Sequence, residues 1–142
     1  MIIYFDSSFL VSLYIPDSNS AEAELITQAA TASLWVTDLC ELEVVNTFSL
    51  RVFRKQASPR DANTALNNFE RDLQEGLFKR RKLPDRVFER AGQLSRQTTA
   101  KLGTRTADLL HVAAALELNA DYLYSFDQQQ RRLARSVRLK LN

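Results

Sequence analysis

Ile2-Ile3-Tyr4-Phe5-Asp6-Ser7-Ser8 opens the chain with an unbroken apolar run that stops on a carboxylate and two hydroxyls. β-Branched and aromatic residues without polar alternation describe a strand buried on both faces, as in parallel sheets covered by helices. The pattern recurs downstream. Leu34-Trp35-Val36 is a second short buried run, and Tyr122-Leu123-Tyr124-Ser125 is a third, ending on Phe126-Asp127. Leu77 to Leu83 can form a strand, and Val137 to Leu141 alternates like an edge strand.

Helical patterns fill the spaces between. Asp6-Ser7-Ser8 offers capping oxygens to a short helix from Phe9 to Tyr14, closed by Pro16. Ser18 or Ser20 caps a helix over about 21–31, with Leu25, Ile26 and Ala29 on one face. Thr37 or Asp38 caps a helix to about Lys55, with Leu42, Val45, Phe48, Ser49 and Val52 at helical spacing. Ser58-Pro59 starts another, Ser at the N-cap and Pro in the first turn, carrying Ala62, Ala65, Leu66, Phe69 and Leu73 until Gly76. Pro84-Asp85 opens a helix with Val87, Phe88, Ala91 and Leu94, and Gly103-Thr104 restarts the chain into a helix over about 105–118. Strands separated by helices imply an α/β fold, a mostly parallel sheet of about five strands covered on both faces. The whole of residues 1–142 fits one domain.

The bulk numbers exclude several classes. A content of 45% hydrophobic and 25% charged residues is that of an ordinary globular protein. No apolar run is long enough for a membrane span, and the N-terminus lacks a signal-peptide pattern. The single cysteine, Cys40, fits a reducing cytoplasm and reads as a small buried residue. Only Gly76, Gly92 and Gly103 occur, too far apart for a phosphate loop or dinucleotide fingerprint. One cysteine and one histidine exclude zinc sites built on those ligands.

Four acids sit where carboxylates are costly: Asp6 and Asp127 at strand ends, and Glu43 and Asp108 in apolar helical runs. A carboxylate near a core stays neutral, pairs with a base or binds a hard cation. No Lys or Arg stands beside these acids within their apolar runs, which favours a divalent-metal site. Capping by Ser7 or Ser8 would leave Asp6 free. On its helix Glu43 shares a face with Asn46 and Thr47, whereas Glu41 points about 160° away; Leu39, Leu42 and Val45 form the apolar face between them. Asp108 has Thr104 at i−4 and His111 at i+3. Asp127 also suits the N-cap of the Gln128-Gln129-Gln130 helix. His111, the only histidine, reads as a hydrogen-bonded structural group, and Trp35, Tyr4, Tyr122 and Tyr124 read as core. In parallel sheets ligands collect at the carboxyl ends of the strands, near a topological switch point, and all four acids can reach that rim.

The net charge of +2 hides an uneven distribution. Lys79-Arg80-Arg81-Lys82 is a tight cluster. It suits either a polyanion held around a metal centre or the blunting of a sheet edge. Arg51, Arg54 and Lys55 follow the Glu43 helix, and five further basic residues crowd the tail.

These segments resemble the PIN-domain ribonucleases, most closely the VapC-type toxins of prokaryotic toxin–antitoxin pairs. Ile3-Tyr4-Phe5-Asp6-Ser7-Ser8 is similar to the family's opening strand with its first acid, and Thr37-Asp38-Leu39-Cys40-Glu41-Leu42-Glu43-Val44 to its second motif. Thr104 to His111 resembles the third, and Leu123-Tyr124-Ser125-Phe126-Asp127 the fourth, where Thr is commoner at position 125. A Gly common in the family near Ser136 is missing here. The resemblance implies a three-layer α/β/α sandwich and an Mg²⁺- or Mn²⁺-dependent endoribonuclease. In that reading Asp6, Glu43, Asp108 and Asp127 hold the ion, with Ser7, Asn46, Thr104 and Ser125 in support. It further implies a homodimer inhibited by a cognate antitoxin whose C-terminal segment fills the groove. Two other readings are a PIN-like module that binds RNA or protein without cleaving, and a phosphohydrolase with an Asp nucleophile. The second wants a Lys near the site, and none follows the acid-bearing strands.

Overall fold

The computed structural model describes residues 1–142, and in it the opening run is β1 (Ile2–Phe5), the middle strand of a five-stranded sheet. The helix α1 (Ser7–Tyr14) and α2 (Ser20–Ala29) follow, then β2 (Ser33–Thr37), α3 (Asp38–Phe53) and α4 (Pro59–Gln74). The second half comprises β3 (Lys79–Arg81), α5 (Val87–Leu94), a π-helical turn over Ser95–Thr99 and the short α6 (Ala100–Leu102). It ends with α7 (Thr106–Glu117), β4 (Tyr122–Tyr124), α8 (Gln128–Ser136) and β5 (Lys140–Leu141). The strand order is β3-β2-β1-β4-β5, with every pair parallel.

Alternation along β1 builds the layers, because successive side chains point to opposite faces. Ile3 and Phe5 join Phe9, Val36, Phe48, Phe69 and Phe78 in a core beneath α1, α3 and α4. Tyr4 and Leu123 join Val87, Leu109, Val112 and Leu133 in a second core beneath α5, α7 and α8. The result is the expected three-layer α/β/α sandwich.

Differences from the sequence reading have local causes. On α3 the buried face is Cys40, Val44 and Phe48, whereas Leu42 and Val45 are exposed. Their neighbours on the chain look equally apolar, so periodicity alone does not choose between the two stripes. Trp35, Tyr122 and Tyr124 are only half-buried, although β2 and β4 are the strands that flank β1. The basic cluster lies on edge strand β3. Arg81 stacks 4.1 Å over the Trp35 ring, Arg80 pairs with Glu41 at 3.1 Å, and Lys79 donates to Ser33 at 3.1 Å. Those contacts support the edge-blunting reading of the cluster. α2 begins with Asn19 at its N-cap and no capping side chain, while Ser20 Oγ accepts from Asp17 N.

The predicted strand from Val137 to Leu141 shrinks to Lys140–Leu141, since the residues before it close α8. Arg138 N–H donates to Arg135 O and Leu139 N–H to Ala134 O, a Schellman closure with Arg138 at φ 60°. Glycine normally takes that left-handed position, and its absence near Ser136 falls on this turn. Arg138→Gly is expected to raise the unfolding free energy by roughly 0.5–1 kcal/mol, measured by urea titration.

Candidate active site

Asp6 N–H donates to Tyr124 O at 3.1 Å, so the end of β1 is tied to β4 where the strand order reverses. A crevice at that switch point is where open parallel sheets take ligands. All four acids line it. Asp6, Glu43, Asp108 and Asp127, with Ser7, Ser8, Arg105, Ala107, His111 and Gln130, surround a cavity of about 270 Å³.

Asp6 is 1% exposed and is held from several sides. It is itself the N-cap of α1, accepting from Phe9 N at 2.9 Å, so the expectation that Ser7 or Ser8 caps and leaves it free is corrected. Ser8 Oγ lies 2.8 and 2.9 Å from its two oxygens, Ser125 Oγ 2.6 Å and Gln130 Nε2 2.8 Å. Burial pushes its carboxyl above the usual range, and His111, Ser125, Phe9 N and Ser8 oppose the rise.

Glu43 projects from the second turn of α3, whose N-cap is Thr37. Its Oε2 meets His111 Nε2 in a short hydrogen bond, and His111 Nδ1 lies 2.9 Å from Tyr4 Oη, itself 2.9 Å from Thr37 Oγ1. Burial pushes the Glu43 carboxyl up, but the hydrogen bond and charge of His111, with Ser7 and Arg105, leave it below its ordinary value. His111 is thus hydrogen-bonded at both nitrogens and 2% exposed, as a structural histidine should be, yet one of its partners is a cavity acid.

Asp108 and Asp127 share one cation. Asp108 sits in the first turn of α7 and accepts from Arg105 N at 3.0 Å, Nε at 3.2 Å and Nη2 at 3.3 Å. Asp127 caps α8 by accepting from Gln130 N at 3.0 Å, and its other oxygen takes Arg105 Nη2 at 2.8 Å. The expectation that no basic residue accompanies the acids therefore fails at Arg105. It lies three residues before Asp108, a helical neighbour spacing visible in the sequence. Gln130 left no such signal, since its partner Asp6 is 124 residues away.

Three of the four supporting residues, Asn46, Thr104 and Ser125, are not in the cavity wall. Asn46 is exposed on α3, and Thr47 takes the place next to the site instead. Thr104 is buried against Thr99, with their hydroxyls 2.8 Å apart, because α7 starts two residues after it and turns it inward. Ser7 lines the cavity and Ser125 holds Asp6. Beside the cavity runs a polar groove of about 520 Å³ that shares Ser7, Ser8, Arg105 and Asp127 with it and adds Asn19, Thr47, Arg51 and Arg54.

Four carboxylates and two serine hydroxyls are the oxygen donors a hard cation prefers, so the donor chemistry suits Mg²⁺ or Mn²⁺. As they stand, no three His, Cys, Asp or Glu side chains converge into a ready cation cage. Each acid is instead taken up by Arg105, His111 or neutral hydrogen-bond donors.

The same architecture recurs in solved structures. VapC20 of Mycobacterium tuberculosis, described as a sarcin-ricin loop cleaving toxin, is similar with a TM-score of 0.69 at 14% identity, covering 92% of this chain and 93% of that one. VapBC2 of Rickettsia felis, bound to a DNA fragment from its promoter, gives 0.67 at 18% identity over 100% and 98%. FitAcB of Neisseria gonorrhoeae gives 0.71 at 14% identity over 98% and 95%. At such identities the likeness is one of fold. No curated protein matches the sequence. The PIN domain family model, however, matches residues 3–136 and so spans all but the first residue of β1, the four acids and the whole of α8: the chain belongs to the PIN domain family.

Proposed function

We propose that the protein is a metal-dependent endoribonuclease, the toxin of a toxin–antitoxin pair. The observation that carries this reading is the meeting of four carboxylates from four separate elements on one cavity at the switch point. Asp6, Glu43, Asp108 and Asp127 would hold Mg²⁺ or Mn²⁺. A divalent ion bound there supplies water activation and neutralises charge at a phosphodiester.

The chain's residues do the positioning. Ser125 and Gln130 fix the Asp6 oxygens, and His111 holds Glu43 as an acceptor. Ser7, on the wall between cavity and groove, would donate to a scissile phosphate in this reading. Arg51 and Arg54 line the groove and suit the backbone of an RNA strand leaving the cavity. A toxin described as cleaving the sarcin-ricin loop supports structured RNA as the substrate class. If three phosphates are neutralised there, RNA affinity should fall about tenfold or more between 50 and 200 mM salt. A filter-binding titration checks this, and affinity unchanged by salt would refute the groove assignment.

The VapBC assemblies among the similar structures support a cognate antitoxin as partner. Leu25 on α2 and Leu42 and Phe53 on α3 are exposed, which supports a homodimer through these helices. No helix is long and apolar enough to cross a membrane. The decisive experiment incubates purified protein with structured RNA and Mg²⁺ or Mn²⁺, beside Asp6→Asn. Metal-dependent cleavage lost in the variant supports the nuclease. RNA binding without cleavage would replace it by the non-cleaving module.

A further inference from the structure

Arg105 is the one arginine in the cavity wall, and it faces four carboxylates. It grips Asp108 through two nitrogens and Asp127 through one, joining acids from α7 and α8. Yet its own side chain is 65% exposed, against 4% for Asp108. Burial therefore does not hold the arginine in place; the two carboxylates do. An ion pair whose cation is this open to solvent is weakened by water and salt. A divalent cation competing for the same oxygens carries twice the charge and binds them directly.

We infer that Arg105 is the resident counter-cation of the acid cavity, and that a divalent ion binds by displacing its guanidinium from Asp108 and Asp127. Metal uptake and arginine release are then one exchange. The inference rests on the cavity being a metal site, and it accounts for the acids lacking the arrangement of a ready cation cage while Arg105 and His111 grip three of them. Release needs only a change of side-chain rotamer, because Arg105 already lines the adjoining groove as well as the cavity. The guanidinium stays over that groove after it lets go. The exchange also sets a threshold: at low free metal Asp108 and Asp127 stay paired with the protein's own arginine, and the site loads only when the ion outcompetes it.

The test measures Mn²⁺ binding to the full chain without RNA, by calorimetry, for wild type, Arg105→Gln, Arg105→Lys, Arg54→Gln and Asp6→Asn. Arg105→Gln should bind Mn²⁺ about tenfold more tightly than wild type. Arg105→Lys, which keeps the charge but loses the two-pronged grip, should fall between them. Arg54→Gln removes an equal charge from the groove and should shift affinity less than about twofold, separating exchange from general electrostatics. In wild type, Mg²⁺ titration should move the Arg105 side-chain Nε–H resonance in step with binding. Unchanged or weaker binding in Arg105→Gln, with binding still lost in Asp6→Asn, would overturn the exchange and leave the metal site standing. An equal gain in Arg54→Gln would overturn it too. Absence of Mn²⁺ binding in every variant, Arg105→Gln included, would overturn both the exchange and the metal reading beneath it.

Discussion

Asp6→Asn is expected to lower metal-dependent RNA cleavage by about a thousandfold or more, equivalent to about 4 kcal/mol of transition-state stabilisation, and yet to make the metal-free protein harder to unfold at pH 8. The variant keeps the cap, because asparagine accepts from Phe9 N as well as aspartate does. It keeps the shape and removes the buried charge, with the Gln130 amide turned so that its Oε1 accepts from the new Nδ2. The folded carboxyl titrates above its unfolded value through burial, so burying it costs nothing while it is protonated in both states. The cost grows as pH rises from the ordinary carboxylate range and is complete above the raised value. Asp6→Asn should therefore match wild type below the ordinary carboxylate range and melt higher at pH 8, with the sign set by the upward displacement of the buried carboxyl. Added Mn²⁺ should narrow the gap by stabilising wild type alone. A variant that still cleaves at a tenth of the wild-type rate would remove Asp6 from the reacting centre. One that melts lower at both pH values would make its network a purely structural clamp.

Phe9→Ala should produce the largest loss of stability, about 3–5 kcal/mol, or roughly 10–17 °C in melting temperature. Phe9 is fully buried and stacks on Phe126 at 5.0 Å with nearly parallel rings, while touching Phe5 at 4.9 Å and Tyr124 at 5.7 Å. Truncation leaves a void that this many rigid rings cannot collapse into. The damage reaches the cavity as well, since Phe9 supplies the amide that caps on Asp6 and Phe126 precedes Asp127. Cleavage by the folded fraction, assayed well below the melting point, should fall along with urea resistance. Phe9→Leu should lose about half as much. If Phe9→Ala loses under about 1 kcal/mol, the aromatic stack is not what supports the crevice.

Much of this was legible in the residues. The apolar run before Asp6 specified a doubly buried strand, and the matching runs before Thr37 and Ser125 specified its neighbours, so the sheet and the rim followed together. The four acids could be picked out because each interrupts apolar sequence. What escaped was the identity of their partners. Asp6 reads locally as a residue that Ser7 or Ser8 relieves of capping, but tertiary pairing brings Ser125 and Gln130 to it and makes it the cap as well. On α3 two apolar stripes compete, and only the sheet beneath decides that Cys40, Val44 and Phe48 turn inward. Thr104 and Asn46 were placed by helical phase, and a start at Thr106 or an outward tilt defeats that argument. Arg105 was within reach of the sequence, because a residue three before an acid at a helix start is a neighbour by geometry.

The hydrogen bonds from Ser125 and Gln130 to Asp6 also govern when the crevice exists during synthesis. A chain emerging residue by residue offers its first acid almost at once and the clamp on that acid only after more than a hundred further residues. β1 has β2 beside it early but must wait for β4, so the half of the crevice made by Asp127 and Gln130 closes late. A nascent or truncated product ending before Ser125 carries Asp6 with only Ser8 and Phe9 N to hold it, and lacks the wall that Asp127 and Gln130 supply. Copies that end before Asp127 thereby lack one of the four acids, and only chains that run through α8 present the whole crevice.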